Sequence, residues 1–180
     1  MSDTTITGLD DGAVRLTSYS PRWPGAYTRE VTSLRGALGA WVADVQHIGS
    51  TAVPGLEAKP IIDIALATID LSGVKDRIPA LQELGYDYRG EYGLPGREFF
   101  TRGKPVKIHL HIVQKDGKHW RAWMLFRDYL REHARARESY AGFKRMLALQ
   151  HSGKREAYTA AKKPFIDRML KDAEAWSREL

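Results

Sequence analysis

Apolar positions along the chain follow strand spacing and helical spacing in turn, and each stretch marks an element. Val14–Leu16 is a brief apolar alternation, followed by Tyr19, Pro21, Trp23 and Pro24. A proline at 24 suits the first turn of a helix, where its missing N–H costs nothing. From there Tyr27, Val31, Leu34 and Leu38 recur at helical spacing, and Gly39 offers a stop. Trp41–Ile48 reads as a strand ending in Gly49-Ser50-Thr51, and Val53–Leu56 as a turn. Pro60–Leu66 is then a nearly continuous apolar run broken by one carboxylate, Asp63, the pattern of a strand covered on both faces.

Val74–Leu84 has the spacing of a short amphipathic helix closed by Gly85. Tyr86–Tyr88 and Glu98–Arg102 read as paired strands around the loop Gly90–Gly96. Val106–Val113 alternates, with Val106, Ile108, Leu110 and Ile112 on one side and Lys107, His109, His111 and Val113 on the other. After Asp116-Gly117 the spacing turns helical. Trp120, Trp123, Phe126 and Leu130 mark one helix, Tyr140, Phe143 and Leu147 its continuation or a second. Phe165, Met169, Ala173 and Trp176 mark the last, with Pro164 at its first turn. No internal repeat or low-complexity segment interrupts this order. The expected architecture is α+β: a single domain over 1–180, with a mixed sheet in about 14–116 and a helical part in about 117–180.

Composition adds mostly exclusions. With 43% hydrophobic and 28% charged residues, the 180-residue chain has globular rather than disordered composition. Without cysteine there is no disulfide framework, thiolate metal site or Cys nucleophile. No apolar run approaches the ~18 residues of a membrane span, and the polar start Met1–Gly12 has no signal-peptide core, so a cytoplasmic location without membrane partners is expected. The net charge of +6 lies entirely in the last third: residues 1–118 hold 14 basic and 14 acidic side chains, residues 119–180 hold 14 and 8. A basic helical tail suits an anionic partner, or simply a set of solvated helix faces.

Four features bear on chemistry. A Gly49-Ser50-Thr51 tip after a strand lets backbone N–H groups and hydroxyls approach an anion, although a plain turn has the same composition. Asp63, inside an apolar strand, needs a cation, a hydrogen-bond donor or a salt bridge such as Lys59 or Arg97. His109 and His111 project from one strand face and with Asp63 make a possible two-His, one-carboxylate metal site; otherwise they are a polar pair on a solvated face. The loop Gly90-Glu91-Tyr92-Gly93-Leu94-Pro95-Gly96-Arg97 carries an acid and a guanidinium that either line a pocket or lie on an exposed hairpin.

In this order the features resemble the nucleotidyltransferase superfamily. More closely, His47-Ile48-Gly49-Ser50-Thr51-Ala52-Val53-Pro54-Gly55-Leu56 followed by Ala58-Lys59-Pro60-Ile61-Ile62-Asp63-Ile64 resembles the signature of the GrpB (UPF0157) family. Tyr19–Pro24, the Gly90–Arg97 loop with Phe100, His109-Leu110-His111-Ile112 and Phe126-Arg127-Asp128-Tyr129-Leu130-Arg131 are similar to further motifs of that family, so the resemblance spans roughly residues 14–170. It implies a nucleotidyltransferase-like α/β fold, a mixed sheet flanked by helices with a helical C-terminal part.

The resemblance also implies roles. Gly49, Ser50 and Thr51 would hold a nucleoside triphosphate, and Asp63, His109 and His111 a divalent metal (Mg, Mn or Zn). Lys59, Arg97 or Arg127 would neutralise phosphate charge, and Glu91 or His47 would be the general base. The chain departs from the superfamily in having Ala65 where a second acid is usual. Either the metal differs, or Glu91 supplies the missing oxygen, or the site no longer transfers nucleotidyl groups. The expected function is activation or modification of a small molecule at the expense of a nucleoside triphosphate, by adenylylation or ATP-dependent ligation. The alternative is a non-catalytic protein that binds a nucleotide or anionic metabolite. Nucleic acid is not expected as a partner, since no RNA-reading motif or run of stacking aromatics occurs.

Overall fold

A computed structural model of the chain describes residues 14–179, so the polar start read above lies outside the described residues. The first helix, α1 (Trp23–Leu38), has a proline in its opening turn and buries Trp23, Glu30, Leu34 and Leu38. Gly39, at φ +56°, ends it and donates its N–H to Arg35 O. Strands β1 (Asp44–Ile48), β2 (Ile62–Thr68), β3 (Tyr86–Tyr88), β4 (Arg97–Arg102) and β5 (Ile108–Gln114) form one sheet in the order β1-β2-β5-β4-β3. Only β2 and β5 run parallel; the other neighbours are antiparallel. With α2 (Ile78–Glu83), α3 (Lys118–Glu132), α4 (Ala134–Gln150) and α5 (Arg155–Ser177) the fold is α+β with a mixed sheet, as the alternation predicts.

Strand parity divides the side chains between two cores. Ile62, Ile64 and Leu66 of β2 with Leu110 and Ile112 of β5 face α1 and α2, and bury Leu34, Leu38, Leu81 and Phe100 against them. Glu30 is buried there, its charge met by the Tyr86 hydroxyl (2.6 Å) and by Arg102 (2.5 and 2.7 Å). The opposite face carries Ile48, Ala65, Ala67 and Val113 against Trp120, Trp123 and Met124 of α3. A third cluster, Val53, Leu56, Leu130, Tyr140 and Met169, ties the three C-terminal helices to the turn after β1.

Several element ends differ from the sequence reading. The strand expected from Trp41 starts at Asp44, because Gly39–Trp41 forms a 3-10 turn closed by Val42 N–H to Gly39 O. The helix expected from Val74 begins as a 3-10 segment, Leu71–Arg77, whose first turn is capped by the Asp70 carboxylate. Pro164 is not in a first turn but inside α5, which starts nine residues earlier at Arg155. Pro164 and Ala160 both lie on the exposed side, where water can take the carbonyl that proline leaves without a donor.

Candidate functional site

The register of the sheet builds the site. Ile48, Asp63, His109 and Thr101 form one row across β1, β2, β5 and β4, and Gln46, Ala65, His111 and Phe99 the next. Asp63, His109 and His111 therefore share the α3 face, where β1 ends and β2 and β5 begin. His109 Nδ1 lies 3.0 Å and His111 Nε2 3.5 Å from the same oxygen, Asp63 Oδ1. Burial alone would raise the Asp63 carboxyl; the two imidazole hydrogen bonds outweigh it and hold the group well below the ordinary carboxylate range.

An ionised carboxylate only accepts, so both histidines donate to it. The guanidinium of Arg97 approaches His111 Nδ1 at 3.3 Å and can only donate, which fixes the proton of His111 on Nε2. For His109 the contact with Asp63 places a proton on Nδ1. Burial pulls the His111 pKa down, against the pull of Asp63, so this ring is neutral at neutral pH. The Phe99 ring walls the pair, its centroid 5.2 Å from that of His109 and 5.0 Å from that of His111.

Gly49 turns the chain directly beside this carboxylate. At φ +68° and ψ −171° it holds a conformation open essentially to glycine alone, and a Cβ there would sit 2.7 Å from Asp63 Oδ2. Ser50–Ala52 follows as a 3-10 turn. Arg131 grips this turn with two hydrogen bonds to Ala52 O (2.9 and 2.7 Å), while Arg127 binds His47 O (3.1 Å) and Gln46 Oε1 (2.9 Å).

Three lysines, from α4, α5 and the loop before β2, surround Ser50 and Asp63. Lys144 of α4, only 2% exposed, donates to Ser50 Oγ (3.0 Å) and to the Glu57 carbonyl. Burial, with repulsion from Lys162, pushes its pKa down to about 7. Lys162 of α5 and Lys59 both lie over the Tyr158 ring, 4.8 and 5.7 Å from its centroid. Burial and mutual repulsion bring Lys162 down to about 8, with Asp63 pulling the other way, and burial lowers Lys59 as well.

The structure thus brings Asp63, His109 and His111 together, with Gly49 in contact and Ser50 beside Lys144; Lys59 is within the electrostatic reach of Asp63. Asp63 hydrogen-bonds the two histidines rather than Lys59 or Arg97. Thr51 is buried, its hydroxyl engaged by His47 Nε2 at 2.9 Å and by Ile61 O at 3.4 Å. His47 itself pairs with Ile64 in the register and so faces α1, on the other side of the sheet from Asp63. There it stacks on Tyr27 at 4.9 Å, and burial lowers its pKa to about 4. Glu91 accepts the Gly96 N–H at 2.7 Å within its own loop and is not part of the Asp63 cluster. Arg97 gives its Nε and Nη2 donors to the Glu91 and Tyr92 carbonyls. Arg127 is bound to β1 and Asp128.

Lys144 and Lys162 escaped the sequence reading. The signal is present: each sits on an apolar stripe, Tyr140-Lys144-Leu147 and Tyr158-Lys162-Phe165, at spacings of four and three. A lysine inside such a stripe is a cation on the buried side of its helix.

Could the cluster hold a cation? One ligand atom from each of Asp63, His109 and His111 lies within 4.8 Å of the others. Two imidazoles and one carboxylate fit a borderline divalent ion such as Zn²⁺ or Mn²⁺ better than Mg²⁺, which prefers oxygen. A cation on His111 Nε2 displaces the proton now there to Nδ1, so the 3.3 Å contact with Arg97 must open.

Comparison with known proteins places this geometry among relatives. A sequence profile described as GrpB protein matches residues 13–172. The glutamate-rich protein GrpB of Alkalihalophilus pseudofirmus is 34% identical over 173 residues, covering 93% of this chain and 99% of that one. A UPF0157 protein of Streptomyces coelicolor is 39% identical over 162 residues, covering 89% of this chain and 84% of its own. A dephospho-CoA kinase of Mycolicibacterium paratuberculosis is 27% identical over 192 residues, which take in 91% of this chain but 47% of that enzyme. The crystal structure of the conserved protein GrpB from Enterococcus faecalis superposes with a TM-score of 0.83 at 34% identity, over 90% of this chain and 99% of that one.

Proposed function

This chain belongs to the GrpB family, and from that premise we propose that it binds a nucleoside triphosphate together with a divalent cation and transfers a nucleotidyl group to a small molecule. The observation that carries the reading is the convergence of Asp63, His109 and His111 on one sheet face, against the glycine-only turn at Gly49. A cation held by those three side chains would supply Lewis-acid stabilisation of phosphoryl charge. The Gly49–Ala52 turn would position the phosphates. His47 and Arg127 serve here as supports of the turn, not as reacting groups. That a dephospho-CoA kinase includes a similar unit accords with a role beside nucleotide chemistry.

The test is a thermal-shift panel of the four nucleoside triphosphates with Mg²⁺, Mn²⁺ or Zn²⁺ on the wild type and on Asp63→Ala. A ligand that binds only the folded state raises its melting temperature. A metal-dependent nucleotide shift, absent in Asp63→Ala, is the expected result; no shift with any nucleotide overturns the reading.

A second reading, a nucleotide- or metabolite-binding protein without turnover, is favoured by one observation. Ala65, where a second carboxylate is usual, is fully buried against Ile48, Ala67, Val113 and Trp120, so among the described residues Asp63 is the one acid of the cluster. Nucleotide binding without pyrophosphate release from a panel of carboxylic-acid, alcohol and amine acceptors would select it.

A further inference from the structure

We propose that Lys59, Lys144 and Lys162 form a cradle for a di- or triphosphate chain, assembled where α4 and α5 close over the Ser50 turn. This deepens the nucleotide reading above, yet it rests on different residues. Lys144 is sealed from solvent, and its ammonium meets a hydroxyl and a carbonyl, both neutral. The nearby Glu57 carboxylate is engaged by Arg145 at 3.1 Å. Lys59 and Lys162 share the face contacts of Tyr158 and, among the described residues, neither has a carboxylate within ion-pair distance. Among the described residues, the carboxylate whose field reaches both is Asp63, which is hydrogen-bonded to His109 and His111.

Three neighbouring ammonium groups, one sealed from water and two half-buried, are costly to hold together unless an anion joins them. Aromatic rings hold Lys59 and Lys162 without using their N–H donors, which remain free for a ligand. A single carboxylate would leave most of this charge unbalanced. A chain of two or three phosphates supplies several negative charges and many acceptor oxygens within one short ligand. The Ser50 hydroxyl, already 3.0 Å from Lys144, places that chain beside the Asp63 cluster rather than on a remote basic surface.

The test removes both metal and nucleoside. Tripolyphosphate is titrated calorimetrically into the full chain in EDTA at fixed ionic strength, beside ATP, adenosine and acetate. Tripolyphosphate and ATP should bind comparably while adenosine and acetate do not. Lys162→Gln and Lys59→Gln should each weaken tripolyphosphate at least tenfold, and Asp63→Asn should leave it equal or tighter. Lys162 is only half-buried, so its variant keeps the test decisive even where Lys144→Met fails to fold. No binding of tripolyphosphate, adenosine binding as tightly as ATP, or binding indifferent to Lys59→Gln and Lys162→Gln overturns the cradle. Tripolyphosphate binding with no metal-dependent nucleotide effect would sink the transferase reading alone. Metal-dependent nucleotide binding indifferent to both lysine variants would sink the cradle alone.

Discussion

Gly49 leaves no room for a side chain over Asp63: a Cβ on residue 49 would lie 2.7 Å from Oδ2 and 3.1 Å from Cβ of the aspartate. The backbone reinforces the demand, since φ +68° with ψ −171° is strained for any residue but glycine. Gly49→Ala should therefore cost about 1–3 kcal/mol of stability and push the carboxylate away from His109. Gly36 is the control. It lies in α1 with open space around it, and Gly36→Ala should gain up to about 1 kcal/mol from helix propensity. Urea unfolding of the two variants checks this, and equal midpoints for both would refute the contact.

Arg97 opposes any cation at His111, because it offers a donor where ligation through Nε2 requires an N–H on Nδ1. Arg97→Gln replaces a group that only donates with one that can accept. That variant should bind Zn²⁺ or Mn²⁺ several-fold more tightly than the wild type, whereas His109→Ala and His111→Ala should each lose at least tenfold. Calorimetric titration of the metal alone decides. Weaker binding in Arg97→Gln, with the fold intact by circular dichroism, would mean that the loop tied by Arg97 matters more than the tautomer.

The sheet and the Asp63 cluster were legible in the sequence because period-2 alternation fixes side-chain direction. Once Asp63 and the pair His109 and His111 lie on strands, only the register was missing. Their convergence needs Asp63 opposite His109, which follows from the parallel pairing of β2 with β5, a long-range contact that no local pattern encodes. His47 shows the same limit from the other side. It adjoins Gly49 in sequence, yet strand parity turns it to α1. Lys144 and Lys162 were hidden for a different reason: as part of a net charge they look like solvated helix surface. Only their place within the Tyr140-Leu147 and Tyr158-Phe165 stripes distinguishes them. Pro164 was misplaced because proline fits a first turn, and an exposed helix face tolerates it elsewhere too.

Lys144 makes stability depend on pH in a definite direction. Burial, then repulsion from Lys162, with Glu57 attracting and Lys59 and Arg145 repelling, brings its pKa from the ordinary 10.5 to about 7. Ser50, Tyr140 and the Glu57 carbonyl complete its surroundings. Between those two values the unfolded chain holds a proton that the folded chain has released, so stability rises with pH there and is flat in this respect below about 7. The slope approaches about 1.4 kcal/mol per pH unit for one proton. Urea midpoints at pH 7, 8 and 9 should climb in the wild type and climb less in Lys144→Met. Parallel slopes in the two proteins would show that the buried ammonium is not the titrating group.

Arg131 and Arg127 predict how tightly the Ser50 turn must be held. Both guanidinium groups reach from α3 to backbone carbonyls on either side of Gly49: Arg131 to Ala52 O through two donors, Arg127 to His47 O. The forked contact to one carbonyl needs the planar guanidinium, which a lysine cannot reproduce. Arg131→Lys should therefore cost about 1 kcal/mol, since the side chain is partly exposed and its bonds are screened. Its larger effect should fall on ligand binding, where a looser turn must be ordered when phosphate arrives. The expected result is a tripolyphosphate affinity several-fold below wild type, with the affinity for metal alone unchanged, because Asp63, His109 and His111 make no contact with α3 through Arg131. Arg121→Ala, exposed on the same helix, should change neither quantity. Loss of metal affinity in Arg131→Lys equal to its loss of phosphate affinity would show that the turn and the Asp63 cluster behave as one rigid unit, not as a phosphate clamp hinged beside a fixed metal site.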